Sequence, residues 1–242
     1  MKSICWFRND LRVLDNPALH HCCLNSDGVI AVYFLNRKQW LEHNDAAVKI
    51  NFWLRNLECL QNELKKLNIP LVILEADTYR DTISVLKDFS IKNEIKNLYF
   101  NVEYPINELE RDREIYTLFK ENNIGVFAYH DQVIHEPGSL KTQTGNNFSV
   151  YSPFKRKWFA ELLDEQLDIL EIPQKKKEMV MPGTELSEFL DEFSHDYADQ
   201  WPAGEEYIQN YIDEFLKFKG TTYKVKRNFP AIDATAKLSP LH

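Results

Sequence analysis

Charged residues crowd the segment that follows the first apolar run of the chain. The ten residues from Trp6 to Asp15 include two arginines, Arg8 and Arg12, and two aspartates, Asp10 and Asp15. This is more charge than a surface turn requires, and guanidinium and carboxylate groups so close in sequence can pair with one another. We expect most of them to form a buried network that fixes the surrounding loops.

An amide and a carboxylate lie side by side at Asn107 and Glu108. They are placed where a strand-end loop meets a helix, which is where a doubly wound fold binds its ligand. Together they offer paired acceptors for a flat heterocycle that carries amino and ring N–H donors. The acidic residues that follow are explained by the positive end of the helix macrodipole; these are Glu110, Asp112 and Glu114.

Other site chemistries lack support in the sequence. Neither GxGxxG nor GxxxxGK[ST] occurs, and no GxSxG places a serine at a strand-to-helix turn. The seven histidines never fall at ligand spacing with cysteines or carboxylates, so we predict no metal site. His43 is noted because it lies in a loop on the ligand side of the predicted sheet.

Short apolar runs alternate with long amphipathic runs over the first 130 residues. The predicted strands are Ser3 to Phe7, Val29 to Leu35, Leu71 to Leu74, Asn97 to Val102 and Gly125 to Tyr129. The predicted helices begin at Asn16-Pro17 and otherwise span Ala46 to Leu67, Asp77 to Asn93 and Glu108 to Lys120. Because parallel neighbours need long crossovers, this order predicts an α/β fold with a doubly wound, five-stranded parallel sheet of Rossmann-like type.

The pattern changes after about residue 135. A polar loop from Gly138 to Asn147 precedes a short aromatic helix over Phe154 to Leu163, and a basic run lies at Lys175 to Lys177. Another amphipathic helix is predicted over Tyr207 to Phe218. We therefore divide the chain into an α/β domain (1–135), a connector of helix and loop (136–204) and the beginning of a further helical domain (205–242).

Composition and charge bear on what this chain binds and on where in the cell we expect it. The 242 residues are 44% hydrophobic with a net charge of −8, which disfavours strong binding to nucleic acid by this chain alone. No basic leader with an apolar core and no apolar run of membrane-spanning length is present, so we expect a cytoplasmic protein. We also expect it to be a monomer.

The segment from Trp6 to Leu19, WFRNDLRVLDNPAL, resembles the opening signature of the DNA photolyase and cryptochrome family. The likeness continues through Arg37 to Trp40, through Tyr104 to Arg111, and through Val150 to Lys155 with Trp158. It covers essentially the whole chain and is strongest toward class I cyclobutane pyrimidine dimer photolyases.

The resemblance implies a division of labour between two domains. In that family the α/β domain holds a light-harvesting antenna, and a larger helical domain holds FAD, binds UV-damaged DNA and splits the dimer. His43, Asn107 and Glu108 match positions that contact a folate antenna, methenyltetrahydrofolate, in similar photolyases. The resemblance thus implies that the heterocycle at Asn107 and Glu108 is a pterin.

The last residues resemble the first FAD-contacting segment of the family, where hydroxyls and backbone N–H groups meet the phosphates. The residues that carry this likeness are Tyr223, Thr235, Lys237, Leu238 and Ser239. Ala236 stands where a serine is usual and removes a donor. We expect a chain truncated as the FAD domain begins, with no catalytic residues of its own, no retained FAD and no repair of DNA when alone.

Two other function classes stay open on the sequence. A blue-light photoreceptor of cryptochrome type would share the α/β domain, and a stand-alone nucleotide-binding module would share its architecture. A deazaflavin, or no chromophore at all, remains an alternative to folate in the strand-end crevice.

Overall fold

The computed structural model describes residues 1–164, 169–179, 181–190, 192, 199 and 201–235. Its centre is a five-stranded sheet in the order β3-β2-β1-β4-β5, with every neighbouring pair parallel. The strands are β1 (Lys2–Trp6), β2 (Gly28–Leu35), β3 (Leu71–Glu75), β4 (Asn97–Asn101) and β5 (Gly125–Tyr129). The predicted doubly wound parallel sheet is confirmed.

The helices cover both faces of the sheet or follow it. They are α1 (Pro17–Leu24), α2 (Arg37–Glu42), α3 (Ala47–Lys66), α4 (Asp81–Lys92), α5 (Ile106–Glu121), α6 (Tyr151–Asp164), α7 (Ser187–Leu190), α8 (Glu205–Glu214) and α9 (Tyr223–Lys226). Two differences from the prediction concern the elements near the candidate ligand. The loop predicted around His43 contains α2. Helix α4 begins four residues later than predicted because Thr78 and Asp81 bond to each other in a turn.

The predicted helix from Tyr207 to Phe218 divides into two parts. It forms α8 and then a π-helical turn over Phe215–Lys219, followed by a short 3₁₀ segment. Apolar side chains on this region, such as Leu216 and Phe218, are largely exposed. Periodicity alone does not distinguish an α-helical turn from a π-helical one, because both keep apolar residues on a similar face.

Alternating side chains of the central strand β1, and of Phe7 directly after it, divide the core into two layers. Cys5 and Phe7 pack with α1 and α3 on one face, while Ile4 and Trp6 pack with α4 and α5 on the other. The face of α3 that meets the sheet carries Leu54, Leu57, Leu60 and Leu64, each at most 2% exposed. Burying a leucine of this kind contributes roughly 1.5–3 kcal/mol, so the two layers hold the sheet rigidly beneath its strand ends.

The segment around Thr184 covers one edge of the sheet. Thr184 donates its N–H to the Leu71 carbonyl at 2.9 Å, and its Oγ1 accepts from the Ile73 N–H at 2.9 Å. Gln61 of α3 donates to the Thr184 carbonyl at 2.7 Å. These bonds satisfy β3, which is an edge strand with otherwise open backbone groups. In the part of the chain that the structure describes, no helix is long and apolar enough to cross a membrane.

Asn16 begins α1 as the sequence predicts. Its side-chain oxygen accepts from the Leu19 N–H at 3.0 Å, and Pro17 occupies the first helical position. Asn16 is 1% exposed and its amide also donates to Asp10 and to the Arg12 carbonyl. The cap therefore joins α1 to the loop after β1.

Replacement of Asn16 by alanine is expected to lower the free energy of unfolding by about 1–2 kcal/mol, because the cap and its buried bonds are lost together. Urea denaturation followed by circular dichroism measures the change. Asn25→Ala at the exposed C-terminal end of the same helix serves as the control and should change stability by less than about 0.5 kcal/mol. Equal losses in both variants would show that the cap has no special role.

Candidate functional site

The sheet reverses its winding between β1 and β4. The chain proceeds from β1 to β2 and β3 on one side, and β4 and β5 lie on the other side. The carboxyl ends of β1 and β4 therefore flank the switch point, where open parallel sheets bind their ligands. The loops at residues 7–16 and 102–105 follow these two ends and contribute Phe7, Arg8, Asn9 and Glu103 to a crevice at the switch point.

Arg8 lies at the centre of a buried ion network at this switch point. Its Nη1 donates to both carboxylate oxygens of Asp112 at 2.8 Å, and its Nε lies 3.5 Å from Oε2 of Glu103. Arg111 donates to Glu103 and to Asp112 at 3.0 Å each. The four side chains are at most 11% exposed, so two cations and two anions neutralise one another out of water.

Aromatic rings enclose both guanidinium groups. Arg8 lies 4.8 Å from the ring centroid of Trp6 and 4.6 Å from that of Phe100, and Arg111 lies 4.6 Å from Trp6. The predicted network of arginine and aspartate is thus present, but its main anion is Asp112 on α5. The helix macrodipole alone does not explain why an aspartate stands at position 112. The buried ion pair of Asp112 with Arg8, 104 positions away, is the stronger interaction.

The N-terminus of α1 is fully satisfied by the chain's own groups. Pro17 has no N–H, the Ala18 N–H donates to Oδ1 of Asn101 at 3.0 Å, and the Leu19 N–H donates to Asn16. The Asp10 carboxylate lies beside this turn and accepts from the Arg8 N–H, from Asn16 and from Asn101. A phosphate finds no free donor here and meets a carboxylate instead.

A crevice directly above the switch point is nearly filled by side chains. Its free volume is about 50 Å³, far below the roughly 300–1,000 Å³ of ligand pockets. The large residues around it include Trp40 and Trp53, whose ring centroids are 6.3 Å apart, and Tyr79. The place that the fold favours for a ligand therefore has room for only a few water molecules.

A larger cleft of about 440 Å³ adjoins this crevice. It lies between α2, α4 and the first turns of α5, and both hollows share Tyr79 and Arg111 as a wall. Its lining residues are Gln39, Thr78, Tyr79, Arg80, Ile83, Asn107, Glu110, Arg111 and Glu114. Its place beside the strand ends, a volume in the range of ligand pockets and the presence of Asn107 in its wall make this cleft the candidate binding site.

The three antenna residues predicted from the sequence differ in their distance from the cleft. Asn107 lines it, and Glu108 follows in the same first turn of α5. His43 is exposed at the end of α2 and reaches the cleft through Gln39, whose amide nitrogen is 2.8 Å from Nε2 of His43. The structure thus places one of them in the wall and the other two beside it.

Tyr79 separates the cleft from the crevice and has an altered acidity. Burial, together with the nearby carboxylates of Glu103 and Glu108, raises the pKa of Tyr79 to about 12. The phenol is therefore protonated at neutral pH and can donate a hydrogen bond. The backbone N–H of Tyr79 donates to Gln39 at 3.3 Å, which ties the α4 side of the cleft to α2.

Sequence reasoning missed Gln39, Tyr79 and Trp53 as site residues. Gln39 belongs to the segment that carries the family resemblance, so that segment was the available signal. Tyr79 and Trp53 have no distinguishing signal, because one lies in a turn and the other on an amphipathic helix. Only the packing of α3 and the α4 turn over the strand ends brings them together.

The residues predicted to contact FAD lie apart from this cleft or outside the described part. Tyr223 begins α9 and is 37% exposed, with its ring 5.7 Å from that of Phe215, and Thr235 is exposed. Lys237, Leu238 and Ser239 lie outside the described residues. Among the described residues, no group of three or more His, Cys, Asp or Glu side chains could hold a metal ion.

Comparison with known proteins identifies the family. The family model for DNA photolyase matches residues 3–176. The chain belongs to the DNA photolyase family. A deoxyribodipyrimidine photo-lyase from Buchnera aphidicola of Acyrthosiphon pisum is 33% identical over 99% of the chain, and one from Escherichia coli is 29% identical over 97%. This photolyase-family chain spans about half the length of these relatives, 50% and 49% respectively.

Solved structures agree with the family and with the fold. A class III photolyase from Agrobacterium tumefaciens has a TM-score of 0.80 and 26% identity, over 99% of this chain and 49% of that one. A photolyase from Sulfolobus tokodaii, whose structure contains two FAD molecules, has a TM-score of 0.75 at 21% identity, over 99% of this chain and 51% of that one. The second likeness shows the fold alone. The five-stranded sheet is that of the N-terminal α/β domain of photolyases.

The Asp112→Ala variant is expected to lose about 3–5 kcal/mol of unfolding free energy, because Arg8 and Arg111 would be left buried with one anion between them. Chemical denaturation measures this loss. Glu114→Ala, an exposed carboxylate on the same helix, should stay within about 0.5 kcal/mol of the parent. A loss below about 1 kcal/mol in Asp112→Ala would contradict the assignment of Asp112 as the main partner of Arg8.

Proposed function

We propose that this chain is the light-harvesting part of a deoxyribodipyrimidine photolyase and that it binds a folate antenna, methenyltetrahydrofolate, in the cleft at the start of α5. The observation that supports this most is the cleft itself, whose volume of about 440 Å³ lies in the range of small-molecule sites. Methenyltetrahydrofolate, when bound, supplies near-ultraviolet absorption. The protein supplies binding and orientation.

The donors and acceptors of the cleft fit a folate. The Asn107 amide in the wall of the cleft and the Glu108 carboxylate beside it offer acceptors for the amino and ring N–H edge of a pterin. The protonated Tyr79 phenol supplies a donor, and its ring gives one apolar wall. Arg80, exposed at the rim, supplies a cation for the carboxylates of the glutamate tail.

His43 takes a positioning role in this proposal. Its ring bonds to Gln39, and Gln39 both lines the cleft and accepts from the Tyr79 backbone. A hydrogen-bonded chain therefore runs from the end of α2 to the α4 turn. We assign His43 to holding this wall in place, and Asn107 and Glu108 to direct contact.

Deoxyribodipyrimidine photo-lyases related to this chain have about twice its length. We propose that the complete activity, repair of pyrimidine dimers in UV-damaged DNA with blue light and reduced FAD, resides in such longer proteins. Residues 1–135 would be the antenna domain, 136–204 the connector, and 205–242 the beginning of the FAD-binding region. With a net charge of −8, the 242-residue chain is expected to bind DNA weakly.

The alternative of a stand-alone nucleotide-binding module is disfavoured by the satisfied N-terminus of α1. The usual phosphate site of a doubly wound fold offers no free N–H group here, and Asp10 adds a negative charge. Saturable binding of ATP without folate would reverse this preference. A cryptochrome-type photoreceptor has no observation of its own that favours it over a repair protein.

The Glu108→Gln variant is expected to bind methenyltetrahydrofolate at least about tenfold more weakly than the parent, because a hydrogen bond to a charged group contributes roughly 1.5–3 kcal/mol. Equilibrium dialysis with detection of the near-ultraviolet absorbance measures the affinity. The matched control is Glu121→Gln at the exposed far end of the same helix, which should leave the affinity unchanged. Equal affinities of parent and Glu108→Gln would contradict the site assignment.

A photorepair assay tests the division of activity between the parts. The purified 242-residue chain, supplied with FAD, a reductant and blue light, is expected to leave a dimer-containing oligonucleotide unrepaired. A full-length photolyase serves as the positive control. Turnover by the 242-residue chain would contradict the proposal that repair resides in the longer proteins.

A further inference from the structure

In the switch-point crevice, the position for a nucleotide's phosphates and the position for its ring system are both blocked by the protein's own side chains. A nucleotide would place its phosphates at the N-terminus of α1 and its ring system above β1 and β4. In this chain, Asn16 and Asn101 take the free N–H groups of α1, and the Asp10 carboxylate lies next to them. The phosphate position is therefore filled by the protein's own acceptors.

The ring position is filled as well. Arg8 and Arg111 cannot move away, because their ion pairs with Glu103 and Asp112 are buried. Above them, Trp53 packs against Trp40, and Tyr79 closes the side toward the open cleft, so that about 50 Å³ remains. A three-ring system such as a flavin needs several times this space.

We infer that Trp53 and Tyr79 determine the chromophore class of this domain by closing the switch-point crevice to flavins, while the neighbouring cleft stays open to a ligand. The inference rests on the proposed function for the identity of the ligand in the cleft. The closure of the crevice itself follows from the side chains alone and can be tested without folate.

Trp53 and Tyr79 are the residues of this closure that can be substituted without breaking a buried ion pair. Trp53 is only half-buried, and its further contact is with the Lys49 ammonium, 4.5 Å from the ring centroid. Tyr79 lies in the turn before α4 and holds no buried ion pair of its own. Each can be shortened without leaving a buried charge unpaired, whereas Arg8 cannot.

The experiment measures riboflavin and FMN binding to the parent chain, to Trp53→Ala and to Tyr79→Ala by equilibrium dialysis. The control is Phe52→Ala, because Phe52 is the neighbouring half-buried aromatic residue on α3 and does not line the crevice. Circular dichroism and thermal unfolding identify which variants are folded. Two independent variants are used so that loss of one to misfolding still leaves a test.

We expect the parent and Phe52→Ala to bind flavin too weakly to saturate at the highest concentration tested. A folded Trp53→Ala or Tyr79→Ala chain should saturate with riboflavin at an affinity at least about tenfold above that limit. FMN should bind these variants no more tightly than riboflavin, because α1 has no free N–H group for its phosphate. Saturable flavin binding by the parent, tighter binding of FMN than of riboflavin, or no gain in any folded variant would overturn the inference.

The flavin-binding experiment distinguishes failure of the crevice closure from failure of the folate assignment. If the parent binds neither folate nor flavin while Trp53→Ala gains flavin, the closure stands and the folate assignment fails. If the parent binds folate and also binds flavin in competition with it, the folate assignment stands and the closure fails.

Discussion

The buried ion network around Arg8 is the interaction on which the site depends. It joins the loop after β1 to α5 through Asp112 and to the loop after β4 through Glu103. A buried charge with one partner removed is strongly destabilising, so all four members must be present together. The network thereby sets the spacing between the two loops at the point where the sheet reverses. It also fills the space that such a point usually leaves open.

This filling has a consequence for binding. A doubly wound sheet directs a ligand to its switch point, yet here the open cleft lies to one side, against α2, α4 and α5. The same Arg111 that completes the network forms, with Tyr79, the wall between the filled and open hollows. The same arrangement of charges therefore contributes both to the stability of the α/β domain and to the position of its open cleft.

Much of the fold could be predicted from the sequence because its signals are local. The five strands were predicted to within about two residues, and Asn16-Pro17 marked the start of α1. The short helix α2 was missed because it depends on the burial of Trp40 against the distant Trp53 of α3. The π-helical turn after α8 was missed because apolar periodicity does not distinguish it from an α-helical turn. The position of Asn107 and Glu108 at the start of a helix beside the strand ends was predictable, whereas the packing of Gln39, Tyr79 and Trp53 over the same face was not.

The sequence by itself determined the fold class, the family and the side of the sheet on which a ligand would bind. Strand and helix periodicities, a cap and a dense opening motif are all encoded within short segments. Only the tertiary structure decided which hollow on that side is open. That choice depends on the burial of Arg8 against Asp112, 104 residues away, and on the packing of Trp53 and Tyr79 over them. The strength of such contacts depends on the distance between the groups and on the exclusion of water. A short segment of sequence determines neither the distance nor the exclusion of water.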